Sequence, residues 1–246
     1  MANARKSREH RAQEEHDKAE SRASKRRRRT RTLGVVLVLL ILAAGAVMAL
    51  SKSEKVQTAA PSTSPAPQTL AQALKSAGCD KVTNVGPFQP EDTMDRSHAG
   101  LSPLKDYPSI PPASGPHSGT TTPAGTYAQA PADLATAIHS LEHGAVEIWY
   151  APSVADSPEV SAIKTFVGAT PENSDHVVVA PYDYPDQGRY GQLPNGGAMA
   201  LVSWHNVQTC KLPSLAVAKD FLSKYRYPPL GGGKYLGDAP EPGEVI

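Results

Sequence analysis

Three successive stretches decide the fold: "AVEIWYAP" at 145–152, "SPEVSAIKTFVG" at 157–168 and "HVVVAPY" at 176–182. In the first, Val146, Ile148 and Tyr150 fall on one face with the period of two that marks a strand. The second opens on Ser157, a residue that caps helices, with Pro158 at the first helical position. The third is a continuous β-branched run, the composition of a strand covered on both faces. A strand–helix–strand unit over 145–181 predicts a parallel pair joined by a right-handed crossover.

Outward from this unit the chain stays regular on both sides. "PADLATAIHSLEHG" at 131–144 predicts a helix with Pro131 in its first turn and Gly144 at the C′ position. After the turn-rich loop 183–197, "AMALVSWHNV" reads as one strand and "SLAVAKDFLSKYR" as a last helix. Upstream, "QTLAQALKSAGC" at 68–79 reads as a short helix with Leu70 and Leu74 on one face, and Val82, Val85 and Phe88 belong to a first short strand. Between them, residues 87–131 hold nine prolines, and no helical or strand period survives. A structureless segment of this length inside a domain is functional or disordered. The prediction is a small mixed-sheet α/β domain over 68–227, followed by a Pro/Gly-rich irregular tail at 228–246. The element order is compatible with a thioredoxin-like arrangement, but the Cys-x-x-Cys motif of that fold is absent.

The chain has 246 residues and a formal charge of +1, which conceals a strong split. Residues 1–32 carry 12 Lys/Arg against 5 Asp/Glu, a net of +7, and the remainder carries a net of −6. Residues 33–50, "LGVVLVLLILAAGAVMAL", are uncharged. Eighteen residues at the helical rise reach about 27 Å, enough for a hydrocarbon core. Lys25, Arg26, Arg27, Arg28, Arg29 and Arg31 precede this run and place the N-terminus in the cytoplasm by the positive-inside rule. Contact with anionic lipid accounts for these bases, and nothing beside them supplies the stacking or reading element of a nucleic-acid site. The reading is a single-pass type II anchor in the plasma membrane rather than a cleaved signal peptide, whose apolar core is shorter. Residues 51–67 form a Ser/Pro/Ala stalk, and everything beyond lies outside the cytoplasm.

Cys79 and Cys210 are the only cysteines. An even count in an oxidising compartment predicts a disulfide, with two buried thiols as the alternative.

The chemistry concentrates in "HSLEHG" at 139–144. His139 and His143 stand one helical turn apart, the spacing by which a helix offers two imidazoles to one metal ion. With Glu142 the string also fits the H-x-x-E-H peptidase pattern. Gly144 ends the helix at once, however, and the pattern alone is too short to carry that activity. The plainer reading is a helix end whose histidines interact with free carbonyls and the dipole. No Gly-rich phosphate loop is present, and "PASGP" at 112–116 reads as a turn rather than a nucleophile site around Ser114. His176 and His205 flank strands, and a structural role is expected for both.

"YPSIPPASGPH" at 107–117, "GTY" at 125–127, "HSLEHGAVEIWYAP" at 139–152 and "VSWHNVQTC" at 202–210 together resemble a family of membrane-anchored bacterial proteins, domain-of-unknown-function family 3105. The resemblance covers roughly residues 79–227. It implies a single-pass envelope protein of the high-GC Gram-positive type and supplies no activity, substrate or cofactor. The two signature strings end in His117 and in His139 with His143, while His98 lies further back in the Pro-rich segment. A Pro-Pro-Ala-Ser-Gly turn that folds this segment back would aim His117 at the helix. Three imidazoles with Glu142 or water as the fourth group suit Zn²⁺ or Cu²⁺. Two functions stay open at this point: a transition-metal site formed by His98, His117, His139, Glu142 and His143, or a metal-free interaction or scaffold module of the cell envelope that engages a protein partner and uses the histidines structurally.

Overall fold

The predicted strand–helix–strand unit is the centre of the molecule. In the computed structural model, which describes residues 68–89 and 94–246, the two strands are β3 (Val146–Tyr150) and β4 (Val177–Pro181). They pair in parallel, Val146 with Val177 through Tyr150 with Pro181. The helix between them, α3 (Pro158–Val167), is capped by the Ser157 hydroxyl, which accepts from the Val160 amide. A short helix, α4 (Pro171–Ser174), follows before β4. The predicted basic tail (1–32), membrane span (33–50) and stalk (51–67) lie outside the described residues. Among the described residues no helix is long and apolar enough to cross a membrane.

The remaining elements are α1 (Leu70–Ala77), β1 (Thr83–Asn84), β2 (Gly125–Thr126), α2 (Leu134–Glu142), β5 (Met199–Ser203), β6 (Asn206–Cys210) and α5 (Leu215–Tyr225). They complete a mixed six-stranded sheet of order β1-β6-β5-β3-β4-β2. β2 joins β4 in parallel, whereas the β3–β5, β5–β6 and β1–β6 pairs are antiparallel. All five residues of β3 and of β4 are buried, because both faces of the sheet are covered.

Side-chain alternation sorts the core into two halves. On one face Val146, Ile148, Tyr150, Val177, Val179 and Leu201 meet α1, α3 and α5. On the other, Trp149, Val178, Ala180, Tyr182, Val202 and Trp204 share a core with Ala137, Ile138 and Leu141 of α2 and with Leu104, Tyr107 and Ala113 of the Pro-rich segment. Cys79 and Cys210 are bonded, tying the end of α1 to the end of β6.

Four expectations are corrected. "AMALVSWHNV" is not one strand: it breaks into the β5–β6 hairpin at Trp204 and His205, with His205 at φ +61°. The sequence offers no glycine at that turn. α2 begins at Leu134, capped by Asp133, so Pro131 lies outside the helix rather than in its first turn. In α1 the buried positions are Ala73 and Ala77, with Leu74 packed alongside and Leu70 exposed, so the small residues face the core. The first strand contains only Thr83–Asn84, and Val85 and Phe88 pack beyond it against the α2-side core.

Candidate metal centre

The Pro-rich segment is ordered by one buried carboxylate. Asp95 accepts from the Phe88 amide (2.7 Å), from the Ser114 hydroxyl (2.6 Å) and from His205 Nε2 (2.8 Å). Backbone bonds then run between the two arms of the loop: Gly115 N–H to Asp95 O, His117 N–H to Ser97 O and Gly100 N–H to His117 O. The whole string Pro111–His117 is buried as a result. Gly115, at φ +111°, fits between Phe88 and Tyr107, where an added Cβ would come within 2.7 Å and 2.8 Å of their rings. The Pro-Pro-Ala-Ser-Gly turn thus returns His117 to α2.

α2 supplies the other side. The Asp133 carboxylate accepts from the Ala135 amide at its start. The Ser140 hydroxyl donates to Thr122 O and accepts from the Thr122 amide, both at 2.9 Å, which lays residues 118–122 along the helix. His139 and Glu142 in the last turn then point toward His117.

Four residues from three segments converge: His98, His117, His139 and Glu142 each offer a ligand atom, and these atoms lie within 4.8 Å of one another. His98 and His139 stack with ring centroids 4.8 Å apart, and His117 meets them edge-on at 4.9 and 5.0 Å. His117 Nδ1 donates to Gly115 O (2.7 Å), and His139 Nδ1 donates to Ser118 O (2.6 Å). A carbonyl can only accept, so both Nδ1 atoms carry the proton and both Nε2 atoms face the cluster. This backbone-carbonyl orientation is the one found behind metal-bound imidazoles. Glu142 Oε2 lies 3.0 Å from His117 Nε2 and 3.5 Å from His98 Nε2. A carboxylate oxygen cannot donate and neither can the unprotonated Nε2 of His117, so that contact needs a second proton on the ring or a cation, whereas His98 Nε2 can donate as the N–H of a neutral ring.

Burial works to raise the Glu142 carboxyl, but His117, in the form that carries a proton on Nε2 as well as Nδ1, and the Arg96 guanidinium override it and hold the group down at about 2. Arg96 Nε donates to Oε1 at 2.7 Å, leaving Oε2 for the histidines. Burial pushes His139 downward; the Ser118 carbonyl opposes this and neighbouring imidazoles reinforce it. His139 is therefore favoured as the neutral ring a metal requires. His117 and Glu142 are fully buried, whereas the His98 side chain is 52% exposed, so the cluster opens to solvent on that side.

Of the residues singled out in the sequence, His143 stands outside the group of four. Its Nε2 is 3.0 Å from His139 Nε2, and its Nδ1 is buried without a partner among the described residues. His176 and His205 each contact a carboxylate, Asp175 and Asp95 respectively. Ser114 does stand near an aspartate and a histidine, a constellation the sequence does not reveal, but the carboxylate of Asp95 lies between hydroxyl and imidazole and leaves the serine without a base. Asp95 and Arg96 are not legible in the sequence, because their side-chain partners lie 19 to 145 residues away. No spacing signal marks such pairs.

A family model described as a protein of unknown function (DUF3105) matches residues 103–234. The match includes His117, His139, Glu142 and His143, begins after His98, and is shorter at its start than the resemblance read from the sequence. No curated protein and no solved structure matches the chain.

Proposed function

We propose that this chain, which belongs to the DUF3105 family, binds a divalent transition-metal ion through His98, His117, His139 and Glu142. One observation carries the reading: two imidazoles are locked by backbone carbonyls so that their Nε2 atoms face an ionised, buried carboxylate and a third imidazole. Three nitrogens and one oxygen suit Zn²⁺ or Cu²⁺, and the only two cysteines are occupied with each other, so no thiolate enters the donor set. His143 Nε2 meets the same His139 Nε2 that would hold the ion, so this contact must give way when the metal takes that lone pair.

The uncharged run at 33–50 and the bases before it support a single-pass anchor, with the metal centre held outside the plasma membrane. The disulfide fits an oxidising compartment. The β3–α3–β4–β5–β6–α5 order supports a thioredoxin-like core adapted to a task other than thiol exchange.

Calorimetric titration of the purified protein with Zn²⁺ and with Cu²⁺ tests the reading. One ion per chain is expected for the wild type, with binding lost in His117→Ala and weakened on acidification because the ligands must be unprotonated. Absence of binding at micromolar metal returns the histidines to the role of polar staples in a scaffold module.

A further inference from the structure

The end of α2 is closed by a distant part of the chain. The helix leaves its last carbonyls without partners inside the helix. Three carbonyls at this end are taken by residues beyond α5: Tyr227 N–H binds Gly144 O (2.9 Å), Glu241 N–H binds Glu142 O (3.1 Å) and Gly243 N–H binds His143 O (3.0 Å). His176 Nε2 donates to Glu244 O at 2.8 Å and fixes the same segment further along. Gly144 has no room for a side chain, since a Cβ would meet Tyr227 Cβ at 2.7 Å. The Pro/Gly-rich segment is therefore seated on the backbone of Glu142 and His143.

Its Glu241 also reaches the cluster through charge. Arg96 bridges two carboxylates, Glu142 on one side and Glu241 on the other. Paired with Glu142 alone, the guanidinium would cancel the negative charge that a dication needs. Glu241 balances Arg96 from the outer side and leaves Glu142 with its charge available, while Arg96 still fixes which oxygen faces the histidines.

We infer that residues 238–246 form a latch whose Glu241, acting through Arg96, sets the affinity of the histidine–glutamate site for its metal ion. This rests on the metal-binding function proposed above. Glu241 is a positioning residue: it touches neither the ion nor the imidazoles. Because coupling between two sites is reciprocal, the ion in turn holds the latch down.

The test is competitive Zn²⁺ titration of the full chain against a chelator, in the wild type, Glu241→Gln, Glu241→Lys, a chain ended after residue 237, and Asp186→Asn as a remote control. Direct partners of metal ligands, here Arg96, are typically worth about 10–100-fold in affinity. Glu241 acts one step further out through a half-exposed pair, so Glu241→Gln is expected to weaken Zn²⁺ about threefold, Glu241→Lys more, and removal of the segment at least as much as Glu241→Gln. Asp186→Asn should match the wild type. Hydrogen exchange supplies the reciprocal readout: Zn²⁺ should slow exchange of the Gly243 amide in the wild type and not in Glu241→Lys. If the wild type binds Zn²⁺ and every Glu241 variant binds it equally, the latch is overturned and the metal site stands. If the wild type binds no Zn²⁺, the metal site falls and the latch with it.

Discussion

Two buried glutamates five residues apart meet opposite fates. Glu142 closes α2 and faces His117, His98 and Arg96; its carboxyl is held down at about 2. Glu147 sits in β3, on the same side of the sheet as Trp149. Its Oε2 accepts from Trp149 Nε1 at 2.7 Å, and its Oε1 has no partner among the described residues. Burial pushes Glu147 up to about 8, with the Trp149 bond only partly opposing. At neutral pH the first carboxyl is charged and the second is mostly protonated. Burial alone would raise both; cationic and donor partners make the difference. The end of α2 is built around a negative charge, whereas β3 tolerates a neutral acid.

Glu142→Ala attacks the comparison hardest. It leaves His117 and Arg96 without the carboxylate they face, and breaking a buried pair typically costs about 3–5 kcal/mol. About 3 kcal/mol is expected by urea unfolding of the metal-free protein, at the low end of that range because Arg96 and His98 remain in contact with water. A loss below about 1 kcal/mol, the scale of an exposed pair, would mean the cluster does not depend on this charge.

The pH dependence separates the two residues by sign. Glu147 has a folded value above its ordinary 4.5, so the folded state holds the extra proton between 4.5 and about 8. Stability from this group is fully present below pH 4.5 and declines as pH rises toward 8, by about 1.4 kcal/mol per pH unit. The difference between wild type and Glu147→Gln should show that slope. Glu142 runs the other way: its contribution is present above 4.5 and is lost as pH falls toward 2. A wild-type curve parallel to that of Glu147→Gln from about pH 5 to 8 would contradict the assignment.

Asp133→Ala is the mildest probe. It removes the cap of α2, the helix that carries Glu142 and not Glu147. A loss of about 1 kcal/mol is expected from thermal unfolding, with the pH slope of Glu147 unchanged.

The contrast also shows what is legible in the sequence. α2 and α3 are periodic and capped, β3 alternates and β4 is a continuous β-branched run, so the core unit and the alignment of His139, Glu142 and His143 can be read directly. His117 stands out because its string ends in histidine after a rigid turn. The β5–β6 hairpin is hidden, since its turn uses Trp204 and His205 instead of the glycine or asparagine that usually marks one. Asp95 and Arg96 are hidden because their roles arise from contacts between distant segments. Glu147 is hidden because alternation places it on a buried face, while its charge argues for a solvated one.

The most direct measurement of the central claim is anomalous diffraction at the zinc edge from crystals of the protein grown with Zn²⁺. The account predicts one peak among His98, His117, His139 and Glu142, about 2.0–2.1 Å from the imidazole Nε2 atoms, with Glu147 remote from any ion. Crystals with no peak at that position, at a Zn²⁺ concentration that saturates other histidine sites, would contradict it.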